Sequence, residues 1–159
     1  MTTKQSLKFV GTSIVCQEVP GEIAFTFSIS GCPHKCAGCH SKYLWEDVGE
    51  TLLDNLVDVL SPYKEYITCV CFMGGDQNMG ELRQALLIVK DFGLKTCLYS
   101  GLENIDDIDP VIHLLDYCKV GRYDEKLGGL NSPETNQRMY KVIDGVCINI
   151  TSEFQKKKE

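Results

Sequence analysis

The chain has 159 residues, 43% of them hydrophobic and 24% charged, with a formal net charge of −6. That size predicts a single domain over 1–159 with a substantial core, and the acidic balance argues against nucleic acid, whose phosphates call for basic surface. No apolar run is long enough to span a bilayer, and Met1-Thr-Thr-Lys lacks a charged-then-apolar leader pattern, so a cytoplasmic, membrane-free protein is expected.

In chain order, 7-LKFVGTSIVCQEV-19 reads as extended and breaks at Pro20-Gly21. Next, 23-IAFTFSIS-30 alternates with strand period, placing Ile23, Phe25, Phe27 and Ile29 on one face, and runs directly into Gly31-Cys32. The segment 51-TLLDNLVDVL-60 spaces Leu52, Leu53, Leu56, Val57 and Leu60 as a helix stripe that stops before Pro62. The continuous run 67-ITCVCFM-73 predicts a strand buried on both faces, ending at Gly74-Gly75.

A helix follows, with Leu82, Ala85, Leu86 and Val89 inward and Gly93 at its C-terminal end. Then 94-LKTCLYS-100 predicts a strand ending at Gly101, and Asp109-Pro110 predicts a helix through about Tyr117 with Ile112 and Leu115 inward. After a short strand, 118-CKVG-121, residues 122–138 read as a long loop. Finally 140-YKVIDGVCINI-150 carries Asp144-Gly145 between apolar runs, a hairpin signal, and 152–159 reads as a flexible C-terminal tail.

Alternating strands and helices predict an α/β fold with mostly parallel pairing, right-handed crossovers and a C-terminal hairpin. Such sheets carry their functional loops at the carboxyl ends of the strands. The cysteine loop, Gly74-Gly75-Asp76 and Ser100-Gly101 all fall at such ends.

The stretch 31-GCPHKCAGCHSKYLW-45 spaces its thiols C-x3-C-x2-C. Nine cysteines in a chain this long do not suit a secreted disulfide scaffold, and the spacing points to metal. Two readings stand at this level. Cys32, Cys36 and Cys39 with His40 could form a tetrahedral Cys3His zinc staple in a non-enzymatic binding module. Alternatively the three thiolates could hold a [4Fe–4S] cluster with one iron open, either for a substrate or in an electron carrier. The other cysteines, Cys69 and Cys71 above all, read as small buried hydrophobes.

C-x3-C-x2-C after the first core strand, with Gly-Gly-Asp after a later one, resembles the radical S-adenosylmethionine superfamily. Within it, 31-GCPHKCAGCHSKYLW-45, 73-MGGD-76, 98-LYSG-101 and 135-TNQRMYKV-142 resemble the anaerobic ribonucleoside-triphosphate reductase activating proteins, with the likeness running from about Val19 to Val142. An Asp-Gly-x-Gly-x-Arg-like stretch, common in related activases, has no counterpart in 16-CQEVPGEIAF-25.

The resemblance implies a compact partial (β/α) barrel of the radical S-adenosylmethionine type. It implies a [4Fe–4S] cluster on Cys32, Cys36 and Cys39, with S-adenosyl-L-methionine chelating the open iron. Gly74, Gly75 and Asp76 would lie against the methionine amino group, Gly38, Cys39 and His40 beside the adenosine, and Tyr99 and Ser100 near the ribose. An external one-electron donor would drive reductive cleavage of the sulfonium. The radical product would take a hydrogen from a glycine of the anaerobic ribonucleotide reductase, or of another glycyl radical enzyme such as a formate-lyase type. The loop 122–138 is the candidate docking or lid segment.

Overall fold

In the computed structural model, residues 6–16, 18–31 and 48–155 are described. They build one sheet of eight strands in the order β3-β1-β2-β4-β5-β6-β7-β8. The strands are β1 (Lys8–Val15), β2 (Ala24–Ile29), β3 (Glu50–Thr51), β4 (Cys69–Met73), β5 (Lys95–Tyr99), β6 (Tyr117–Val120), β7 (Arg138–Ile143) and β8 (Val146–Asn149). The α-helices among the described residues are α1 (Leu52–Leu60) and α2 (Met79–Asp91).

The expectation of a mostly parallel sheet is corrected. Parallel pairing is confined to the inner set β2-β4-β5-β6. The flanking pairs β3-β1, β1-β2, β6-β7 and β7-β8 are antiparallel, so the sheet is mixed and antiparallel pairs prevail. The reason lies in the connections. Antiparallel neighbours need only short links, such as Asp144-Gly145 between β7 and β8, whereas each parallel step consumes a crossover. Asp144 (φ 50°) and Gly145 (φ 77°) both sit in the left-handed region, the backbone of a tight two-residue hairpin.

The inner strands follow one another in sequence order, and their crossovers all pack on one face. That face holds the larger core: Phe25, Phe27 and Ile29 of β2, Val70 and Phe72 of β4 and Leu98 of β5 meet Leu52, Leu56 and Leu60 of α1 and Leu82, Ala85, Leu86 and Val89 of α2. Phe27 stacks on Phe72 with ring centroids 5.5 Å apart. Burying such side chains contributes about 1.5–3 kcal/mol each, which makes this face the main source of stability. The helix stripes fall as the spacing predicts, except that Val57 is 48% exposed. Asn78 caps α2 by accepting the Glu81 N–H at 3.2 Å.

The predicted helix after Asp109-Pro110 is also corrected. Two 3-10 turns stand there, Ile105–Ile108 and Ile112–Leu114. The Leu114 carbonyl accepts the buried Thr96 hydroxyl at 2.6 Å, and Asp116 accepts the Thr96 N–H at 2.9 Å. Those bonds hold the chain extended at Leu115 (ψ 143°) just before β6, so an α-helix has no room to continue. Ile108, Val111, Leu114 and Leu115 still reach the larger core, so this segment serves as the third crossover.

The opposite face, free of α-helix among the described residues and called the helix-free face below in that sense, carries a smaller core of Val19, Ala24, Cys69, Cys71, Cys97, Tyr117 and Met139. Leu130, Ile150 and Phe154 pack on it, the last two flanking and ending a 3-10 turn at Thr151–Phe154. No helix among the described residues is long and apolar enough to cross a membrane.

Candidate functional site

Register brings the carboxyl ends of the four parallel strands level. Ser28 pairs with Met73, Met73 with Tyr99, and Tyr99 with Lys119. One residue or two beyond, the chain leaves the sheet as Ser30-Gly31, Gly74–Asp76, Ser100-Gly101 and Gly121. The sequence pattern anticipated this juxtaposition for the first three.

Cys32, Cys36, Gly38, Cys39 and His40 lie outside the described residues. Both ends of their segment are described, and they are held together. Ser30, 1% exposed, donates its hydroxyl to the Val48 carbonyl and accepts the Val48 N–H at 3.2 Å. The Ser30 N–H meets the Lys8 carbonyl at 2.9 Å, which fixes this junction to the sheet through β1. Gly31 turns the chain outward with φ 72°. The three thiols are therefore carried by a segment whose roots close on one another at the edge of the sheet. Thiolates are the ligands an iron–sulfur cluster takes, so the donor set fits that group.

Gly74 and Gly75 have φ 108° and 113°, values that side chains rarely adopt. The Gly74 N–H reaches the Tyr99 carbonyl at 2.9 Å, the last rung between β4 and β5. A Cβ at Gly74 would come 3.3 Å from the Ile29 Cβ, and one at Gly75 would come 3.3 Å from Leu82 Cδ1. The chain thus folds tightly over the core here, with Gly75 buried and no room for a side chain toward Ile29 or Leu82. Gln77 bridges this turn to the root of the cysteine segment. Its Nε2 donates to the Ser30 carbonyl at 2.8 Å, and its Oε1 accepts the Gly75 N–H at 3.2 Å. Sequence reasoning missed both Ser30 and Gln77. The one available signal was their place, each beside a glycine turn at a strand end.

Tyr99 lies on the helix-free face with its hydroxyl donated to the Glu18 carbonyl. Burial pushes its ionisation far above the usual tyrosine range, so it stays a neutral phenol. The Lys119 ammonium stands 5.3 Å from the ring centroid. Ser100 is 1% exposed, and its hydroxyl accepts the Leu102 N–H at 3.0 Å. Both residues thus help shape the edge by holding neighbouring loops.

The thiols of β4 and β5 have a different character. Cys69, Cys71 and Cys97 are fully buried on the helix-free face, and burial drives the Cys69 and Cys97 ionisations well above the ordinary thiol value. A protonated, sealed thiol is a poor ligand. Among the described residues no group of three or more His, Cys, Asp or Glu is arranged to hold a metal ion.

The loop between β6 and β7 is stitched shut by the Thr135-Asn136-Gln137 stretch. Gln137 Nε2 donates to the Gly121 carbonyl at 3.3 Å, Asn136 Nδ2 to the Arg122 carbonyl at 3.0 Å, and Thr135 Oγ1 to the Gly128 carbonyl at 3.1 Å. A charged cavity of about 390 Å³ lies between Glu103 and this loop, lined by Arg122, Tyr123, Asp124, Glu125, Lys126 and Asn136.

Residues 19–141 match the family described as a 4Fe-4S single cluster domain. These bounds enclose the cysteine segment and every strand end described above. The chain is also 32% identical over 132 residues to the anaerobic ribonucleoside-triphosphate reductase-activating protein of Enterobacteria phage T4, a match covering 74% of this chain and 83% of that protein. The chain belongs to the 4Fe-4S single cluster domain family, and within it to the anaerobic ribonucleoside-triphosphate reductase-activating proteins.

Proposed function

We propose that this protein is a radical S-adenosylmethionine activase that installs a glycyl radical on an anaerobic ribonucleoside-triphosphate reductase. The observation that carries the reading is the convergence at one sheet edge of the closed roots of the cysteine segment with the bare Gly74-Gly75 turn. Cys32, Cys36 and Cys39 would hold a [4Fe–4S] cluster, with no fourth thiolate in the motif. When bound, cluster and S-adenosylmethionine would supply one-electron cleavage of the sulfonium and a hydrogen-abstracting radical.

The protein's own residues then have positional work. Gly74 and Gly75 would give the methionine amino group close access to backbone carbonyls, and the Asp76 carboxylate would complement its charge. By the resemblance Gly38, Cys39 and His40 would flank the adenosine, while Tyr99 and Ser100 brace the neighbouring strand ends. The reductant is an external one-electron donor. The substrate glycine comes from the partner, because the chain carries no Arg-Val-x-Gly-Tyr-like segment of its own. The loop 122–138 and its charged cavity supply a foothold for that partner.

The test is anaerobic reconstitution with iron and sulfide, followed by product analysis after adding a reductant and S-adenosylmethionine. Methionine and 5′-deoxyadenosine should form, and serine at Cys32, Cys36 or Cys39 should abolish both. Mixed with the reductase, the protein should generate a glycyl radical signal on that partner by electron paramagnetic resonance. One equivalent of zinc without sulfide would overturn the reading.

A further inference from the structure

We propose that Gln77 is a positioning residue that holds Ser30, at the root of the cysteine segment, against the Gly-Gly-Asp turn, and thereby sets the affinity for S-adenosylmethionine. The inference rests on the function proposed above and adds to it a residue outside the cysteine and Gly-Gly-Asp motifs. The carboxamide of Gln77 contacts two backbone groups from different strand ends. It donates to Ser30 at 2.8 Å and accepts from Gly75 at 3.2 Å. Its orientation is determined by those partners: Ser30 offers only an acceptor and Gly75 only a donor, so a flipped amide would oppose like with like.

Neither bond is a rung of the sheet or the cap of a helix. The last rung of the sheet is already made by Gly74 and Tyr99, and α2 is capped by Asn78 rather than Gln77. What Gln77 adds is a cross-link over the gap between β2 and β4 at the level where both chains have left the sheet. Ser30 is the residue that closes the cysteine segment onto Val48. Through Ser30, Gln77 couples the segment meant to carry the cluster to the turn meant to receive the amino group. A ligand spanning both must find them at a fixed separation, and preorganisation of that kind is read as affinity.

The experiment uses the full-length, reconstituted protein without its partner, and titrates S-adenosylmethionine against the cluster's electron paramagnetic resonance signal. Gln77→Met keeps the length and removes both bonds. It should retain wild-type iron and sulfide content and unfold at a somewhat lower temperature, because the buried Ser30 carbonyl and Gly75 N–H lose a partner. At a temperature where it is fully folded the dissociation constant should rise about tenfold, the effect of one or two ordinary hydrogen bonds. Gln77→Glu supplies a second readout: its carboxylate still accepts the Gly75 N–H but opposes the Ser30 carbonyl, so binding should weaken as in Gln77→Met.

Wild-type affinity in Gln77→Met or in Gln77→Glu would overturn the proposal while leaving the activase reading in place. Loss of cluster from Gln77→Met would overturn it too, because the residue would then be holding the cluster segment itself. A wild-type protein that shows no response to S-adenosylmethionine would bring down both.

Discussion

Ser30 and Val48 are joined by two hydrogen bonds through a single hydroxyl, which gives one to the Val48 carbonyl and takes one from the Val48 N–H. A buried serine at the end of a strand thus joins the two ends of the cysteine segment. The chain returns from that segment into the two-residue β3 and then straight into α1, so the clamp also sets where the first crossover begins.

Ser30→Ala should remove both bonds to the Val48 backbone, whose groups water can then reach because Val48 is 42% exposed. Stability of the apoprotein in urea should fall by about 1–3 kcal/mol, the net worth of two ordinary hydrogen bonds. Iron retention after desalting should fall with it, because the roots of the cysteine segment are no longer held together. Unchanged unfolding and unchanged iron would show that the clamp is dispensable.

Gly75→Ala places a Cβ 3.3 Å from Leu82 Cδ1 at φ 113°. The strained backbone should destabilise the protein by about 1–3 kcal/mol. Cleavage of S-adenosylmethionine should drop further than stability does, since the turn must move away from its position over the core. Comparing thermal midpoints with turnover at a temperature where the variant is folded separates the two effects.

Native alkylation at pH 8 should distinguish the described cysteines by burial alone. Cys16 is exposed and should label readily. Cys69, Cys97 and Cys118, buried and with ionisation pushed upward, should label only after unfolding, and buried Cys71 should follow them. Peptide mass spectrometry of iodoacetamide-treated protein reads this directly; rapid native labelling of Cys71 would contradict the sealed core on the helix-free face.

Glu22 sits at the far edge of the sheet, 8% exposed, with Lys95 at 2.9 Å and the Tyr117 hydroxyl at 3.2 Å. Burial alone would raise its ionisation, but bonds from Lys95, Thr68 and Tyr117 prevail and hold it below the usual glutamate value of 4.5. A carboxylate depressed on folding contributes stability above its unfolded value and loses it as pH falls through the folded one. Acid unfolding should therefore set in below about pH 4.5. Lys95→Met should move its onset to higher pH and cost about 1–3 kcal/mol at neutrality. Denaturant midpoints across pH 3–7 would show the shift.

Gly128→Ala tests the loop between β6 and β7. Its Cβ would lie 2.7 Å from the Ser132 Cβ at φ 82°, so the loop must open. Cluster content and uncoupled cleavage of S-adenosylmethionine should stay near wild type while radical formation on the reductase falls. A variant that activates its partner normally would remove the loop from the docking surface.

Much of the fold was legible because local chemistry repeats at short range. The stripe Leu82, Ala85, Leu86 and Val89 marked α2, and Asp144-Gly145 marked the hairpin without reference to the rest of the chain. The strand faces were half legible. Alternation in 23-IAFTFSIS-30 found the helix-side residues Phe25, Phe27 and Ile29, but Ala24 and Thr26 are buried as well, by elements far away in sequence. The failed helix after Asp109-Pro110 has the same cause: Thr96, from the preceding strand, captures the Leu114 carbonyl, and no local pattern announces a partner eighteen residues away.

The candidate site divides along the same line. Thiol spacing and the Gly-Gly-Asp turn are chemical facts of short stretches, so the primary structure alone determined which groups are available for a cluster and its ligand. Tertiary structure alone decided how the edge is held: Ser30 against Val48, Gln77 between Ser30 and Gly75, and parallel pairing restricted to four inner strands. Such bonds join residues up to 47 positions apart, and a hydroxyl or carboxamide carries no trace in the sequence of the backbone group it will meet.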